Sequence, residues 1–361
     1  MPYERVAGFG NANDGQHKVD LNRFNRLFFD RMRSRAIDLG KVRIYISFML
    51  FDVYGFSNGS GENGASLFNA ANNINGVNAD LNGDGWGVEF FMEPTAEIRR
   101  LQQDYAKKVV DTIGDLDNVF IEISNEAGNI AWHYDMINFI KSYMTRQGKN
   151  LPILLSPGGL NGGCMTCYSA PEESAYANSG ADTYSVARSW ADYLNNPPPN
   201  DSGRPLIMDM DHIDAPRNND RRVPWKAFTR GYHYTLYDLP FEDPEAEDAT
   251  WDNHRHNIGA INRYAQKMDL AATAPRGDLT STSFALVNPG SDYLIYQPSG
   301  GTFTVHLQTG TYDYEWFNPA TAAVAGNGTI FSAGGSRSFH PPFGGDAVLY
   351  LSSGSSRKHL R

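Results

Sequence analysis

Between residues 42 and 268 the chain alternates short, apolar, β-rich runs with segments of helical periodicity. Strands alternating with helices imply a parallel α/β architecture, because each parallel strand needs a crossover before the next. The run from Val42 to Phe51 is almost wholly apolar, as suits a strand buried on both faces. Further strands are expected at 118–124, 152–156, 183–186, 205–211 and 232–238. Helices are expected at 20–39, about 95–113, near 132–146, from Pro224, and at about 251–268. Asp20 is the expected N-cap of the first and Gly40 its stop, and Pro224 is expected at a first helical position. A polar insertion rich in Asn and Gly covers 55–94.

Six strands fall short of the eight, over about 250 residues, of a closed barrel. The expected fold class is therefore α/β: a (β/α) TIM-type barrel, incomplete at about six strands, that lacks its first two or replaces them with the irregular N-terminal stretch. An open doubly wound sheet is the alternative, but no Gly-rich phosphate loop follows any strand. After about residue 275 the segments become short and alternating, with turn signals at Asn288-Pro-Gly, Pro298-Ser-Gly-Gly and Asn318-Pro. That pattern predicts an antiparallel β-sandwich of about 75 residues. The expected division is residues 1–275, barrel; 276–353, sandwich; and 354–361, a disordered tail.

The sharpest chemical signal ends the second strand, where Asn118 to Ser124 leads into Asn125-Glu126. Catalytic groups of barrels sit at the C-terminal ends of strands. A carboxyl walled by apolar residues has a raised pKa and can serve as a general acid. Glu126 is thus the candidate acid/base, and Asn125 a candidate ligand for a neighbouring sugar hydroxyl; an N-cap or salt-bridge role is the bland reading. Glu122 lies deeper in the strand and reads as structural. Glycoside hydrolysis needs a second carboxylate, at about 5 Å for retention or about 6.5–9.5 Å for inversion. The strand ending Met208-Asp-Met-Asp-His212 offers Asp211 as first choice of nucleophile and Asp209 one layer lower, with His212 a candidate to bond a sugar hydroxyl or orient a carboxylate. A buried polar cluster that steadies the barrel is the competing reading. Trp86, Trp132, Trp190, Trp225 and Tyr237, with Tyr184, are candidate substrate-binding rings near strand ends, although each alone better suits packing.

Asp80, Asn82 and Asp84, then Gly85, match the start of an EF-hand calcium loop, with Glu89 standing in for the bidentate Glu, since position twelve is Phe91. A structural Ca2+ is one expectation and a metal-free Asn/Gly turn the other; no cofactor is expected for the chemistry. Cys164 and Cys167 cannot complete a zinc site alone and read as a local disulfide or two free thiols. The net charge of -10, with 20% charged residues, argues against nucleic acid or an anionic membrane as partner. An uncharged polysaccharide or oligosaccharide fits better, and a dimer that completes the barrel is left open. No signal peptide opens the chain, so a secreted or periplasmic origin implies a signal already removed.

The Asn125-Glu126 pair after Phe120-Ile-Glu-Ile-Ser resembles the acid/base signature of the retaining (β/α)8-barrel glycosidases that include cellulases. The resemblance extends through Met210-Asp-His, Trp225-Lys-Ala-Phe-Thr-Arg-Gly and Arg263-Tyr-Ala-Gln-Lys-Met-Asp-Leu to a branch of cellulase-like glycosidases. Residues 283–351, with Gly310-Thr-Tyr and Glu315-Trp-Phe-Asn-Pro, are similar to the collagen-binding-type β domain that ends such chains. The resemblance implies a glycoside hydrolase that cleaves β-linked polysaccharide, endo-acting and retaining, with its nucleophile at the strand that ends in Asp211. That family normally places Glu there, so the Asp is a departure. The alternative is a non-catalytic carbohydrate- or matrix-binding protein with a degenerate barrel.

Overall fold

A computed structural model describes residues 1–52, 66–125, 128–156, 177–186, 193–210 and 219–354. Cys164, Cys167, Trp190 and the tail from 355 lie outside these described residues. The chain divides into two compact units, Met1–Ser185 and Val186–Arg361.

The first unit opens with an antiparallel pair, β1 (Tyr3–Arg5) and β2 (Val19–Phe24). Helix α1 (Arg26–Lys41) follows, then β3 (Ile46–Asp52), α2 (Glu89–Met92), α3 (Ala96–Ile113), β4 (Val119–Asn125), α4 (Ile130–Arg146), β5 (Ile153–Leu155) and β6 (Thr183–Val186). Strands β3 to β6 pair in sequence order, all parallel. Val119, Ile121 and Ile123 point one way from β4 and are buried, while Phe120 and Glu122 on the other face are half-buried. Helix α3 buries Ile98, Leu101, Gln102, Ala106, Val109 and Ile113 along one face, and α4 buries Met136, Ile137, Ile140 and Met144. Both start on capping side chains: Thr95 accepts from the Ile98 amide and Asn129 from that of Trp132.

The helix expected from residue 20 begins six residues later, and its N-cap is Asn25, which accepts from the Leu27 amide at 3.1 Å. Asp20 lies in β2, between buried Val19 and Leu21, and accepts from the side chain of Asn75. Leu21 and Phe24 fit a helical stripe whereas Val19 and Leu21 fit a strand alternation, and pairing with β1 decides for the strand. Gly40 lies within the last turn of α1, where a Cβ would come within 3.0 Å of the Asn118 side chain.

The second unit contains β7 (Leu206–Asp209), α5 (Arg222–Thr229), β8 (Tyr232–Thr235), α6 (Leu239–Glu242) and α7 (Ala249–Ala265). Strands β7 and β8 are parallel. Pro224 is the third residue of α5, not the first; it is still in the opening turn, where its missing N–H leaves no bond unmade. Six parallel strands follow one another in the chain with helices interleaved, the element order of a partial TIM-type barrel.

Then come β9 (Ala274–Pro275), β10 (Ala285–Asn288), β11 (Asp292–Gln297), β12 (Phe303–Asn318), β13 (Ala323–Phe339) and β14 (Ala347–Ser352). They form one antiparallel sheet in the order β13-β12-β14-β11-β10-β9. The second half of β12 pairs with β14, whereas its first half, Phe303 to Leu307, pairs with β13 and, through an isolated bridge at Val305, with Thr280. Phe303, Val305 and Leu307 nevertheless share one core with Val287, Ile295, Leu349 and Leu351. The long strands therefore fold back over the sheet, and the expected sandwich is built from a single ladder.

The opposite face of that sheet carries Leu286, Leu294, Tyr296, Val348 and Tyr350, packed on Trp225 and Phe228 of α5 and Ala260 and Tyr264 of α7. Polar bonds tie the same layers. Trp225 Nε1 donates to Asn257 Oδ1 at 2.8 Å, Tyr264 Oη to Glu315 Oε1 at 2.6 Å, and Arg221 pairs with buried Asp346 at 2.7 Å. Helices before residue 275 and strands after it thus share one core.

Trp225 is wholly buried at the middle of this layer. Trp225→Ala is expected to cost about 3–5 kcal/mol of unfolding free energy in urea titration, the usual range for an aromatic removed from a core. A second outcome concerns pH. His254 is fully buried, 3.0 Å from Tyr234 Oη, and burial holds its imidazole below the ordinary value against the opposing pull of the Asn219 backbone, Asp220 and Asp238. The unfolded chain then binds the proton more readily. The contribution is complete above the unfolded value of about 6.5 and declines as pH falls below it. His254→Gln is expected to flatten the loss of melting temperature between pH 7 and 5; an unchanged slope would remove His254 from that account.

Candidate functional site

The C-terminal end of β4 is fixed from three sides. Its register with β3 sets Asp52 beside Asn125, so the last residues of the two strands are neighbours. Below them, Glu122 accepts from the Ser47 hydroxyl of β3 at 2.8 Å and from the Ser156 hydroxyl that follows β5. One carboxylate thereby ties three consecutive strands. Ser124 is fully buried with its Oγ 3.0 Å from Nε2 of buried His133, which joins the strand end to α4.

The chain leaves β4 toward α4 through Gly128, whose φ of +93° is costly for any residue with a Cβ. A Cβ there would also lie 2.3 Å from Trp132 Cε3 and 3.0 Å from His133 Nε2. Asn129 caps α4 and donates through Nδ2 to the Met92 carbonyl at 3.2 Å. Asn125 on one side and Gly128 on the other are therefore held. Glu126 directly follows Asn125 in sequence and lies outside the described residues, as do Asp211 and His212.

Asp209 is the last residue of β7, half-buried and in register with Thr235 of β8. Trp132 is 3% exposed; its ring packs edge-on against Phe51 and Phe91, and its Nε1 donates to Gln102 at 3.3 Å. Tyr184 is buried in β6, and Tyr237 is half-buried in the segment after β8. In the 80–89 loop the Asp80 carboxylate accepts from the amides of Gly83, Asp84 and Gly85, and Asp84 accepts from Trp86 N and from the Asn82 amide. Among the described residues no group of three or more His, Cys, Asp or Glu side chains is disposed to hold a metal. No helix among them is long and apolar enough to cross a membrane.

Sequence reasoning passed over Ser47, Ser156, His133 and Asp52. The first two left a faint signal: each is a lone hydroxyl in or beside an apolar run.

No protein-family model matches the sequence, and no curated protein matches it. Solved structures do. A glycoside hydrolase family 5 structure from Bacteroides vulgatus ATCC 8482 superposes with a TM-score of 0.53 at 12% identity, over 92% of this chain and 75% of that one. Another glycoside hydrolase aligns over 98% of this chain and 97% of its own at a TM-score of 0.46 and 12% identity. A glucosidase from Croceicoccus marinus aligns over 98% and 96% at 0.39 and 9%. The first of these likenesses shows the fold: the chain shares the overall architecture of that glycoside hydrolase family 5 structure. Fold alone does not assign an activity.

The tight passage at Gly128 yields a structural outcome. Gly128→Ala forces a left-handed residue with a Cβ into the Trp132 ring, and is expected to destabilise the chain by about 2 kcal/mol or more. Thermal or urea unfolding reads this directly; a loss under about 0.5 kcal/mol, the range of unremarkable surface changes, would show that the passage can relax.

Proposed function

We propose that the chain is a glycoside hydrolase acting on a β-linked polysaccharide or oligosaccharide. The observation that carries the reading is the place of Asn125: it closes a parallel strand of a glycosidase-type fold, and a glutamic acid comes next in the chain. In this reading Glu126 protonates the leaving oxygen and then takes a proton from the incoming water. Asn125 bonds a hydroxyl of the sugar at the reacting carbon. Asp211, or Asp209 at the end of β7, serves as the second carboxylate. A two-carboxylate mechanism draws its acid, base and nucleophile from side chains alone.

The clasp around Glu122 supports the reading. It fixes β3, β4 and the end of β5 in one register, and a catalytic group needs placement within a fraction of an ångström. The aliphatic wall of Val119, Ile121 and Ile123 keeps water away from the strand behind the site.

Release of reducing ends from a panel of β-glucans, xylans, mannans and galactans tests the proposal. Wild type is expected to hydrolyse at least one of them. Glu126→Gln is expected to lower kcat/KM on it by about 10²–10⁴-fold, the usual worth of a general acid. Unchanged turnover in Glu126→Gln would sink the assignment of that residue. Comparing Asp211→Asn with Asp209→Asn then identifies the second carboxylate, since only the reacting one should give a loss of that order.

A further inference from the structure

Helix α7 closes at Ala265, and past its end the sheet face on which it packs is paved with polar side chains. Strand pairing sets them in two rows, Thr329, Asp313 and Ser352 in one and Asn327, Glu315 and Tyr350 in the other. Each row takes one residue from β13, one from β12 and one from β14. Side chains alternate along a strand, so Asp313 and Glu315 share the face of Phe317, whose ring packs on Trp225 and Tyr264. A cavity of about 610 Å3 lies over the rows, with Gln266 and Lys267 at its side.

The rows are braced before any ligand arrives. The Thr329 hydroxyl donates to Asp313 Oδ1 at 2.8 Å. Tyr264 Oη at 2.6 Å and Lys267 Nζ at 3.0 Å both donate to Glu315 Oε1. The Tyr350 hydroxyl donates to Asp292 Oδ1 at 2.7 Å, and the Lys267 ammonium stands 5.6 Å from the centre of the Tyr350 ring. These bonds take one oxygen of each carboxylate and leave Oδ2 of Asp313 and Oε2 of Glu315 able to accept from a ligand. Asp313, Asn327 and Thr329 are exposed, so a ligand reaches them without any movement of the sheet. Groups fixed in advance lose little entropy on binding.

The chemistry of the walls selects the ligand. Two carboxylates against one ammonium disfavour an anion. An apolar molecule would desolvate the whole grid without pairing it. Among the described residues no group of three or more His, Cys, Asp or Glu side chains is disposed to hold a metal. Lys267 already neutralises Glu315, which leaves a cation only Asp313. A sugar fits, because each of its hydroxyls both donates and accepts. The walls offer acceptors at Asp313 and Glu315, donors at Lys267, and both at Gln266 and Asn327. Cross-strand neighbours stand about 5 Å apart, so one sugar ring bridges two side chains of a row. The volume falls within the roughly 300–1,000 Å3 of small-molecule sites. We propose that this cavity binds a short neutral saccharide, held by hydrogen bonds to Asp313, Glu315 and Asn327. None of these residues belongs to the ends of β4 or β7, and binding here requires no turnover.

Calorimetric titration of the full chain with cellotriose, xylotriose, mannotriose and the cation agmatine tests it, with Glu126→Gln as the host so that hydrolysis adds no heat. At least one trisaccharide is expected to fill a saturable site. Adding Asp313→Ala and Asn327→Ala is expected to weaken that site by about tenfold or more, the scale of one or two hydrogen bonds. Both residues are exposed, so the melting temperature is expected to hold. A wild-type chain that shows the same site yet hydrolyses no glycan would support this inference and remove the proposed activity. Absence of saturable binding by every trisaccharide would overturn the inference. So would affinity undiminished by the two substitutions, or agmatine bound more tightly than every trisaccharide.

Discussion

The parallel register of β3 with β4 is the constraint on which the rest depends. It sets Ile46 against Val119 at one end and Asp52 against Asn125 at the other. A slip of one residue would turn Val119, Ile121 and Ile123 away from the core and Glu122 into it. The Glu122 carboxylate, held by Ser47 and Ser156, opposes that slip because its hydrogen bonds exist in one register only. Such a half-buried acid adds little net stability, since its bonds replace bonds to water. Its effect is specificity of arrangement: it decides which residues meet at the strand ends.

The second unit solves a different problem. A helix pair with one apolar side needs a surface to cover it, and the antiparallel sheet provides that surface. Trp225, Tyr264, Tyr296 and Phe317 interlock there, and their polar edges are met by Asn257, Glu315 and Asp346. Large rings with satisfied hydroxyls and indole N–H groups combine apolar burial with direction. The other face of the sheet is covered by its own long strands folding back. The C-terminal strands therefore have a structural role toward α5 and α7, whatever else they bind.

Much of this was legible in the sequence because it is written in local pattern. Continuous apolar runs marked the six parallel strands, and helical spacing marked α3 and α4. The run Val19 to Phe24 was misleading because Leu21, Phe24 and Phe28 fit a helical stripe while Val19 and Leu21 fit a strand; only pairing with Tyr3–Arg5 separates the two. Continuous pairing through β12 and β13 was hidden for a related reason, as turn signals do not reveal which strands bend over which. At the site, Asn125 at a strand end was readable from its neighbours. The clasp on Glu122 was not, because Ser47 and Ser156 lie 75 and 34 residues away and meet it through register alone. Gly128 was visible as a glycine, but its necessity comes from Trp132 and His133, which reach it only after α4 has formed.

The central claim is that the C-terminal end of β4 is where carbohydrate is bound and cut. The most direct measurement is a crystal structure of Glu126→Gln soaked with an oligosaccharide that the wild type hydrolyses. The account predicts a sugar ring at the end of β4, within hydrogen-bond reach of the Asn125 side chain, with its glycosidic oxygen facing residue 126. Saccharide bound only elsewhere, with that strand end empty, would contradict it.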